Sequence, residues 1–456
     1  MSLSSLLSIA SSAMSAQQLA IDTAGHNVAN ASTPGFSRQQ LILTPQVPLE
    51  TPIGQLGRGV TAAGITRVRD QYLDASYRQE NGDLGSYTTS QSILTEMQSV
   101  FGEPSDTGLA AGIDSFFSAW GDLANNPSDP SVRAAAQQAG ASLAQQFRDA
   151  ARRLTQAGAD VNAQIQGSLT DINQTAQQIA ALNVQIRASS AGGRGAPDIM
   201  DQRDSLVDHL SGLVGVRVIQ HSDGTIGVTA GDALLVDGGQ AATLEARNLS
   251  GGGVAVGVVG AQGTINLQSG SLGALVDLSQ NALPTVQAQL DGLAAGLVKE
   301  VNQLHQAGKT LNGSTGVSFF DPTGTTAATI GLSAAVQSST DNIAAGQTGG
   351  AGDNTTALAI AQLRTTGLAS FGGNTIGEQY QALVGNIGVQ LQNATQRQTA
   401  QQAVVSQVDS QRKSVSGVSI DEEMTNVIAS QNAYAAAAKL VSVADEMMQS
   451  VLAMVN

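Results

Sequence analysis

Small and apolar residues recur along the first thirty positions at alternating intervals of four and three residues. They are Leu3, Leu7, Ala10, Met14, Gln17, Ile21, Ala24 and Val28. An unbroken series of this kind predicts a long helix with the narrow stripe of a coiled coil rather than the broad stripe of a globular surface helix. We expect the helix to end at Thr33-Pro34-Gly35, because proline and glycine together stop a helix.

The other end of the chain carries the same spacing. Its members are Met424, Val427, Gln431, Tyr434, Ala438, Val441, Asp445, Met448, Leu452 and Val455. Ser419 and Glu422 have the spacing of a capping box, which predicts that a second long helix begins there. Asp445 is the one charged member of the series, and we expect it to set the register of the helix at some cost in stability.

Between the two ends the pattern changes several times. Residues 36 to about 85 are rich in Gly, Pro and Thr, which predicts extended segments and loops. Residues 86–190 are predicted to be mostly helical. Short apolar runs separated by Asp-Gly and Gly-Gly pairs predict a β region at about 213–270. Further helices are predicted at about 198–212, 272–307 and 376–414, the last of them after a connector rich in Gly, Thr and Ser.

These elements predict a mainly α protein with a β insertion. Matched helical ends predict a chain that goes out and returns along one axis, so residues 1–40 and 415–456 are assigned to paired terminal coiled-coil helices. Residues 41–195 and 350–414 are predicted to form a helical-bundle domain. Residues 196–349 are predicted to form an outer domain with a small central β domain and the 272–307 helix.

Composition and charge exclude several classes of function. The chain has 456 residues, 36 acidic against 21 basic side chains and a net charge of −15, so it lacks the basic surface that binds nucleic acid or anionic membranes. No stretch approaches the ~20 apolar residues that cross a bilayer, so no membrane insertion is expected. The absence of cysteine excludes disulfides and thiol chemistry. The first basic residue is Arg38, so we expect no ordinary secretory signal peptide.

The terminal stripes are too narrow to order their helices alone. Several of the eight positions in the first series are Ala or Gln, so they bury little apolar surface against the backbone entropy of a long helix. We therefore expect the two ends to order against each other and against further chains. The alternative is that both ends belong to an internal helical bundle.

Two terminal motifs resemble a known family. Asn27-Val-Ala-Asn-Ala-Ser-Thr-Pro-Gly-Phe36 resembles the signature near the N-terminus of bacterial flagellar axial proteins, the family of rod, hook and hook-associated proteins. Ser416-Gly-Val-Ser-Ile-Asp-Glu-Glu-Met424 is similar to the C-terminal helix of the same family. Asp201-Gln-Arg-Asp-Ser-Leu206 and Val301-Asn-Gln-Leu-His305 are similar to the interior of its hook-associated members rather than of its rod proteins.

The resemblance implies a structural part of the flagellum, placed outside the cell at the hook–filament junction. Both termini would line the inner tube around the export channel after the unfolded chain has passed through the flagellar type III export apparatus. The implied partners are further copies of the chain in self-assembly, the flagellar hook protein, hook-associated protein 3 and an export chaperone on the C-terminal helix. The residues expected to carry assembly are the two terminal series and, in the loop after the first helix, Asn27, Asn30, Thr33, Pro34, Gly35 and Phe36.

Patterns that would indicate catalysis are incomplete. Gly308-Lys309-Thr310 ends like a phosphate-binding loop, but Gln303 stands where the first glycine belongs, so a turn is predicted. The four histidines are scattered without metal-ligand spacing. Asp201, Asp204 and Asp208 share a helix face, which we expect to be a solvated acidic face, with a divalent-ion site as the alternative.

We therefore expect no enzymatic activity, no cofactor and no resident metal. Two alternatives stay open. One is another axial component, either hook-associated protein 3 or a rod or hook protein. The other is an extracellular enzyme or adhesin carried on the β region.

Overall fold

The two ends of the chain are long helices. The computed structural model describes residues 3–51, 54–103, 105, 107–192, 195–250, 252–350 and 352–455. Helix α1 (Leu3–Asn30) and helix α11 (Ile420–Val455) pack against each other. Together with the elements below, they confirm a mainly α protein with a β insertion.

A β-hairpin follows α1. Its strands are β1 (Gln39–Pro45), β2 (Leu49–Thr51), β3 (Gly54–Leu56) and β4 (Val60–Arg67). Strand β1 pairs antiparallel with β4, and β2 pairs with β3 nearer the tip. The hairpin lies along α1, with Gly59 beside Ile9 and Ser12.

The helical body begins earlier than predicted. Its first helices are α2 (Gln71–Phe101), α3 (Leu109–Asn125), α4 (Pro130–Ala191) and α5 (Pro197–Val214). The extended prediction for residues 36–85 is therefore wrong from Gln71 onward. Asp70 starts α2 there, because its side chain accepts hydrogen bonds from the amides of Tyr72 and Leu73.

The β region contains two small sheets. Its strands are β5 (Val216–Gln220), β6 (Ile226–Ala230), β7 (Ala233–Asp237), β8 (Gln240–Ala241), β9 (Leu244–Asn248) and β10 (Val254–Val258). Strands β5 to β8 form an antiparallel sheet in chain order, and β9 pairs with β10. The strands occupy residues 216–258, within the β region predicted at about 213–270, although β8 and β9 have no strong strand pattern in sequence.

Two asparagines of α4 attach this region to the helical body. Oδ1 of Asn183 accepts from the amide of Ile226 at 3.1 Å, while its Nδ2 donates to the carbonyls of Ile226 and Gly238, both at 2.8 Å. Asn173 makes the same pair of bonds with the backbone of Leu244. Each asparagine side chain therefore supplies the hydrogen-bond partners that the backbone at a strand end would otherwise lack.

The second half of the chain returns to helix. Its helices are α6 (Gly270–Asp277), α7 (Leu283–Ala307), α8 (Ala334–Ser338), α9 (Thr355–Gln362) and α10 (Ile376–Ser416). A π-helical turn at Leu278–Ala282 joins α6 to α7, so the predicted 272–307 helix is interrupted. Gly308 ends α7, Lys309 pairs with Gly346 in an isolated β-bridge, and the expected turn follows at residues 310–313.

One hydrophobic cluster runs through the body from Ile93 to Ala394. Its densest part is a group of rings that includes Phe116, Trp120 and Phe319, none of which is more than 2% exposed. The cluster crosses the sequence-based boundaries at residues 196 and 349. The helical-bundle and outer domains therefore share one core, because α4 of the first packs against α5, α6 and α7 of the second.

Candidate assembly interface

Helices α1 and α11 run antiparallel, since the end of α1 meets the start of α11. On α1, the predicted series is covered by α11 and the hairpin to different degrees. Ala10 and Ala24 are buried, and Leu3, Leu7, Met14, Gln17, Ile21 and Val28 are half-buried. Small side chains at the closest positions let the two backbones approach each other.

On α11, the face turned to α1 shares Val427, Tyr434 and Val441 with the predicted series, but the positions between them are shifted by one residue. Glu423, Ala437 and Ala444 are buried, and Val427, Ser430, Tyr434 and Val441 are half-buried. Of the predicted positions outside this face, Ala438 is half-buried, whereas Met424, Gln431, Met448 and Leu452 are exposed; the side chain of Val455 lies outside the described residues. Asp445 is exposed, so its predicted role in setting register is wrong, and Ala444 takes that place in the interface.

The side of α11 turned away from α1 carries exposed apolar side chains among polar ones. Its exposed side chains include Met424, Ile428, Leu440, Val443 and Met447. We call these five the outer stripe. Because Glu423 meets Asn27, a rise of ~1.5 Å per residue brings Leu3 beside about residue 447. Met448, Val451, Leu452 and Met454 therefore extend beyond Leu3, and they are 38–83% exposed.

Asn27 joins three elements at the base of the helix pair. The residue is fully buried. Its Oδ1 accepts from the amide of Gln39 at 2.9 Å, and its Nδ2 donates to the carbonyl of Gln39 at 2.8 Å and to Oε2 of Glu423 at 3.2 Å. Asn27 therefore holds the end of α1, the start of β1 and the first turn of α11 together.

The loop from Asn30 to Phe36 turns the chain from α1 into the hairpin. Nδ2 of Asn30 donates to the carbonyl of His26 at 3.0 Å, and the Thr33 hydroxyl donates to Oδ1 of Asn30 at 3.2 Å. Gly35 has φ +80°, a conformation that favours glycine, and Phe36 packs its ring edge-on against His26 at 5.4 Å. Thr33, Pro34 and Gly35 are exposed, so this loop presents its outer side to solvent.

The two residues after Phe36 bind the loop to other elements. The amide and hydroxyl of Ser37 both donate to the carboxylate of Asp201 on α5, at 2.9 and 2.7 Å. Arg38 pairs with Glu422 at 2.9 Å and with Glu423 at 2.8 Å. Glu422 therefore contacts Arg38 rather than completing the predicted capping box, of which only the bond from its amide to Ser419, at 3.5 Å, is present.

The predicted acidic face of α5 is buried against arginines. Asp201 and Asp204 both accept from Arg67, at 2.8 and 2.7 Å, and Asp208 accepts from Arg78 at 2.7 Å and from Arg412 at 2.5 Å. The expectation of a solvated acidic face is wrong. These carboxylates tie α5 to the hairpin, α2 and α10.

Asp204 stands at the centre of this group. Arg69, Arg203 and Arg78 lie within 3.2, 3.5 and 3.9 Å of it, in addition to Arg67. Burial by itself would raise the pKa of Asp204, but the surrounding guanidinium groups outweigh burial and lower that pKa below its ordinary value. The group is therefore a set of charged pairs at neutral pH.

Sequence reasoning missed the arginine half of this group. A usable signal was present, since three aspartates on one helix face are unusual in a chain with only 12% charged residues. What the spacing did not indicate is that Arg67, Arg69 and Arg78 reach the same face from more than 120 positions away.

The described part of the chain places no metal-binding group beside this interface. Within those residues, no three His, Cys, Asp or Glu side chains are grouped so that they could hold a metal ion. His305 is enclosed by Trp120 and Phe319 and bonded on both ring nitrogens, as a structural histidine would be. None of the described helices is both long enough and apolar enough to cross a membrane.

Known proteins match both the ends and the body of the chain. Residues 7–36 match the model for flagella basal body rod proteins, residues 409–454 the C-terminal model of FlgEFG basal body rod proteins, and residues 94–320 the helical domain of flagellar hook-associated protein FlgK. Flagellar hook-associated protein 1 of Bacillus subtilis is 30% identical over 98% of this chain and 97% of that protein. Its counterpart in Escherichia coli is 30% identical over 70% of this chain and 60% of that protein.

A solved structure shares the fold. The flagellar hook junction protein FlgK of Burkholderia pseudomallei superposes with a TM-score of 0.66, at 18% identity, over 76% of this chain and all of that one. Paired terminal helices, the signature loop after the first of them and rod-type matches at both ends define a flagellar axial protein. Within that class, the chain belongs to the flagellar hook-associated protein 1 family, whose members are structural components of the bacterial flagellum. The family match decides against hook-associated protein 3 and the rod and hook proteins.

Proposed function

We propose that this chain is the structural adaptor at the hook–filament junction, outside the cell. The Burkholderia protein of the same fold is a hook junction protein, and the relatives in Bacillus and Escherichia are named as hook-associated. In this proposal residues 1–40 and 415–456 form the inner tube, and the helical body and β region lie outside it. The neighbours along the axis are the hook protein on one side and hook-associated protein 3 on the other.

The observation that carries the proposal is the uncovered outer stripe of α11. Leu440 and Met447 are 44% and 51% exposed, on a helix whose other side is already packed on α1. Exposed apolar side chains grouped on one side of a helix cost free energy in water, and such a group is typical of a protein–protein contact. Neighbouring copies in a tube would cover it, so assembly would complete the apolar packing of α11.

The same stripe supports a route to the assembly site. Before assembly, the C-terminal helix needs a cover, and an export chaperone that binds this helix would provide one. The chain would then leave through the flagellar type III export apparatus. A chain without cysteine passes between reducing and oxidising compartments without disulfide chemistry.

We also propose that the chain has no catalytic role. In the described residues, the largest group of titratable side chains is the arginine–aspartate group around Asp204, and its members are occupied with each other. In this proposal the β region has a structural role rather than an enzymatic or adhesive one.

Deletion of the gene tests the junction proposal in the living cell. The expected strain has intact hooks, no filaments and flagellin free in the medium, because filament subunits would lack their adaptor. A chain that lacks residues 424–456 should give the same phenotype. Missing hooks or rods would contradict a junction role.

A point variant tests the outer stripe. Leu440→Asp places a charge on the outer stripe, whereas Asn432→Asp places the same charge on an exposed polar position of the same helix. We expect both variants to keep the circular dichroism of the wild-type monomer. Only Leu440→Asp should release flagellin into the medium, and equal filament assembly by both variants would contradict the proposed role of the stripe.

A further inference from the structure

The far half of the hairpin after α1 carries exposed apolar side chains that nothing in the described chain covers. Val47 is 82% exposed and Leu49 is 53% exposed. The pairing of Leu49 with Leu56, and the bond from the Gln46 amide to the Gly59 carbonyl, place Arg58 across the hairpin from Val47. Arg58 is exposed and takes part in none of the salt bridges of the described residues. Val47, Leu49 and Arg58, which lie near the far end of the hairpin, are called the hairpin tip below.

A groove of about 660 Å³ lies at the other end of α1. Its apolar lining includes Pro34 and Phe36 from the signature loop, Leu182 from α4 and Leu206 from α5. Asp198 stands at its rim, 60% exposed, with His26 and Gln39 as hydrogen-bond partners but no arginine or lysine. The rim therefore carries a negative charge that no permanent cation of the described chain offsets.

The hairpin tip and the groove do not meet within one chain. Strand β1 begins at Gln39, close to the groove, and rises ~3.3 Å per residue. Val47 therefore lies roughly 25 Å from Gln39 along the hairpin. Gly59, next to the tip, packs beside Ser12 on α1, whereas the groove begins at His26. Those two positions of α1 are roughly 20 Å apart at ~1.5 Å per residue.

We propose that the hairpin tip of one copy occupies the groove of a second copy. This inference rests on the proposed function, which places copies side by side in a tube. The tip offers two apolar side chains and a cation, and the groove offers an apolar lining and an anion at its rim. The two surfaces differ, so the contact is heterologous and repeats from copy to copy instead of closing into a dimer. The groove also adjoins α1, so the contact would continue the interface of the terminal helices.

Engineered cysteines test the contact, because the chain has no cysteine of its own. Val47→Cys combined with Gln202→Cys places one thiol on the tip and one at an exposed position of the groove. Val47→Cys combined with Ser222→Cys is the matched control, since Ser222 is an exposed turn residue of the β region. In flagella isolated from complemented cells and then oxidised, we expect the first pair to give a ladder of covalent dimers and larger oligomers. The control pair should give none.

Charge exchange provides a second, independent readout. Arg58→Asp should reduce filament number at least several-fold, and combination with Asp198→Arg should restore it. The hairpin–groove contact would be contradicted if isolated flagella contain the chain but show no ladder with the groove pair, or if the exchanged pair gives no rescue. Either result would leave the junction role intact. Absence of the wild-type chain from isolated flagella would instead contradict the proposed function itself.

Discussion

Nδ2 of Asn27 donates to Oε2 of Glu423 at 3.2 Å, across 396 positions of sequence. The same Asn27 side chain pairs with both backbone groups of Gln39. A single buried amide therefore joins the outgoing helix, the returning helix and the hairpin. The signature asparagine acts as a joint between the paired termini and the body, because each of its partners belongs to a different element.

Asn27→Ala should loosen this joint. The substitution leaves the buried amide and carbonyl of Gln39 without their side-chain partner, and we expect a loss of about 2–4 kcal/mol in the free energy of unfolding. Hydrogen exchange should also quicken in the first turns of α11. Asn30→Ala is the control, since its amide bonds within its own turn and is half-buried, and it should cost less than about 1 kcal/mol. Equal losses in the two variants would contradict the joint.

Asp204→Asn should be among the most damaging single changes in the body. It removes a buried charge that faces Arg67, Arg69, Arg78 and Arg203, and breaking a buried pair costs about 3–5 kcal/mol. Asp149→Asn breaks a solvent-exposed pair with Arg152 and should cost about 0–1 kcal/mol. Denaturant unfolding of both variants at pH 7 measures the difference, and a cost at Asp204 no larger than that at Asp149 would be incompatible with the buried network.

His305 should make stability depend on pH. Burial lowers its pKa to about 4, although the bond to the Val317 carbonyl, at 2.6 Å, favours the protonated ring. Nε2 accepts from the Ala344 amide at 2.9 Å, which requires the neutral ring in the folded state. The unfolded chain therefore binds the proton first. The contribution of His305 is complete above pH ~6.5 and falls by about 3 kcal/mol as the pH drops towards 4.

His305→Gln isolates this effect. The variant should be less stable at pH 7, but it should lose less stability than the wild type between pH 6.5 and pH 4.5. His209→Gln, at an exposed position, should keep the wild-type dependence. If the difference between wild type and His305→Gln stays constant over that range, His305 is not the titrating group.

Gly85→Ala should disturb the crossing of α2 and α5. A Cβ at Gly85 would overlap the backbone of Gly212, which has no flexible side chain to move aside. We expect a loss of about 1–3 kcal/mol, as for other overpacked sites. Gly158→Ala lies within helix α4 with open space around its Cβ, and it should instead stabilise by about 0.5–1 kcal/mol. Thermal unfolding of both variants should show melting temperatures that move in opposite directions.

Local pattern accounts for the success of the terminal and β predictions. The heptad series requires helices at both ends, and the short apolar runs between glycine turns require strands near 216–258. The spacing of apolar residues did not decide which face of α11 meets α1. A series through Met424 and a series through Ala437 both fit a helix stripe, and they differ by a shift of one residue along the helix. The structure places the small Ala437 and Ala444 against α1 and the larger Met424 and Met447 outside.

The sequence by itself determined the helices, the β insertion and the signature loop, because spacing, proline and glycine act over a few neighbouring residues. Only the tertiary structure decided that Asp201 and Asp204 are buried, and Asp208 half-buried, against arginines rather than solvated. Their arginine partners come from the hairpin, α2 and α10. Whether a carboxylate can be buried depends on which side chains face it in the folded chain. The same holds for Asn27 and Glu423, whose contact exists because α11 returns along α1.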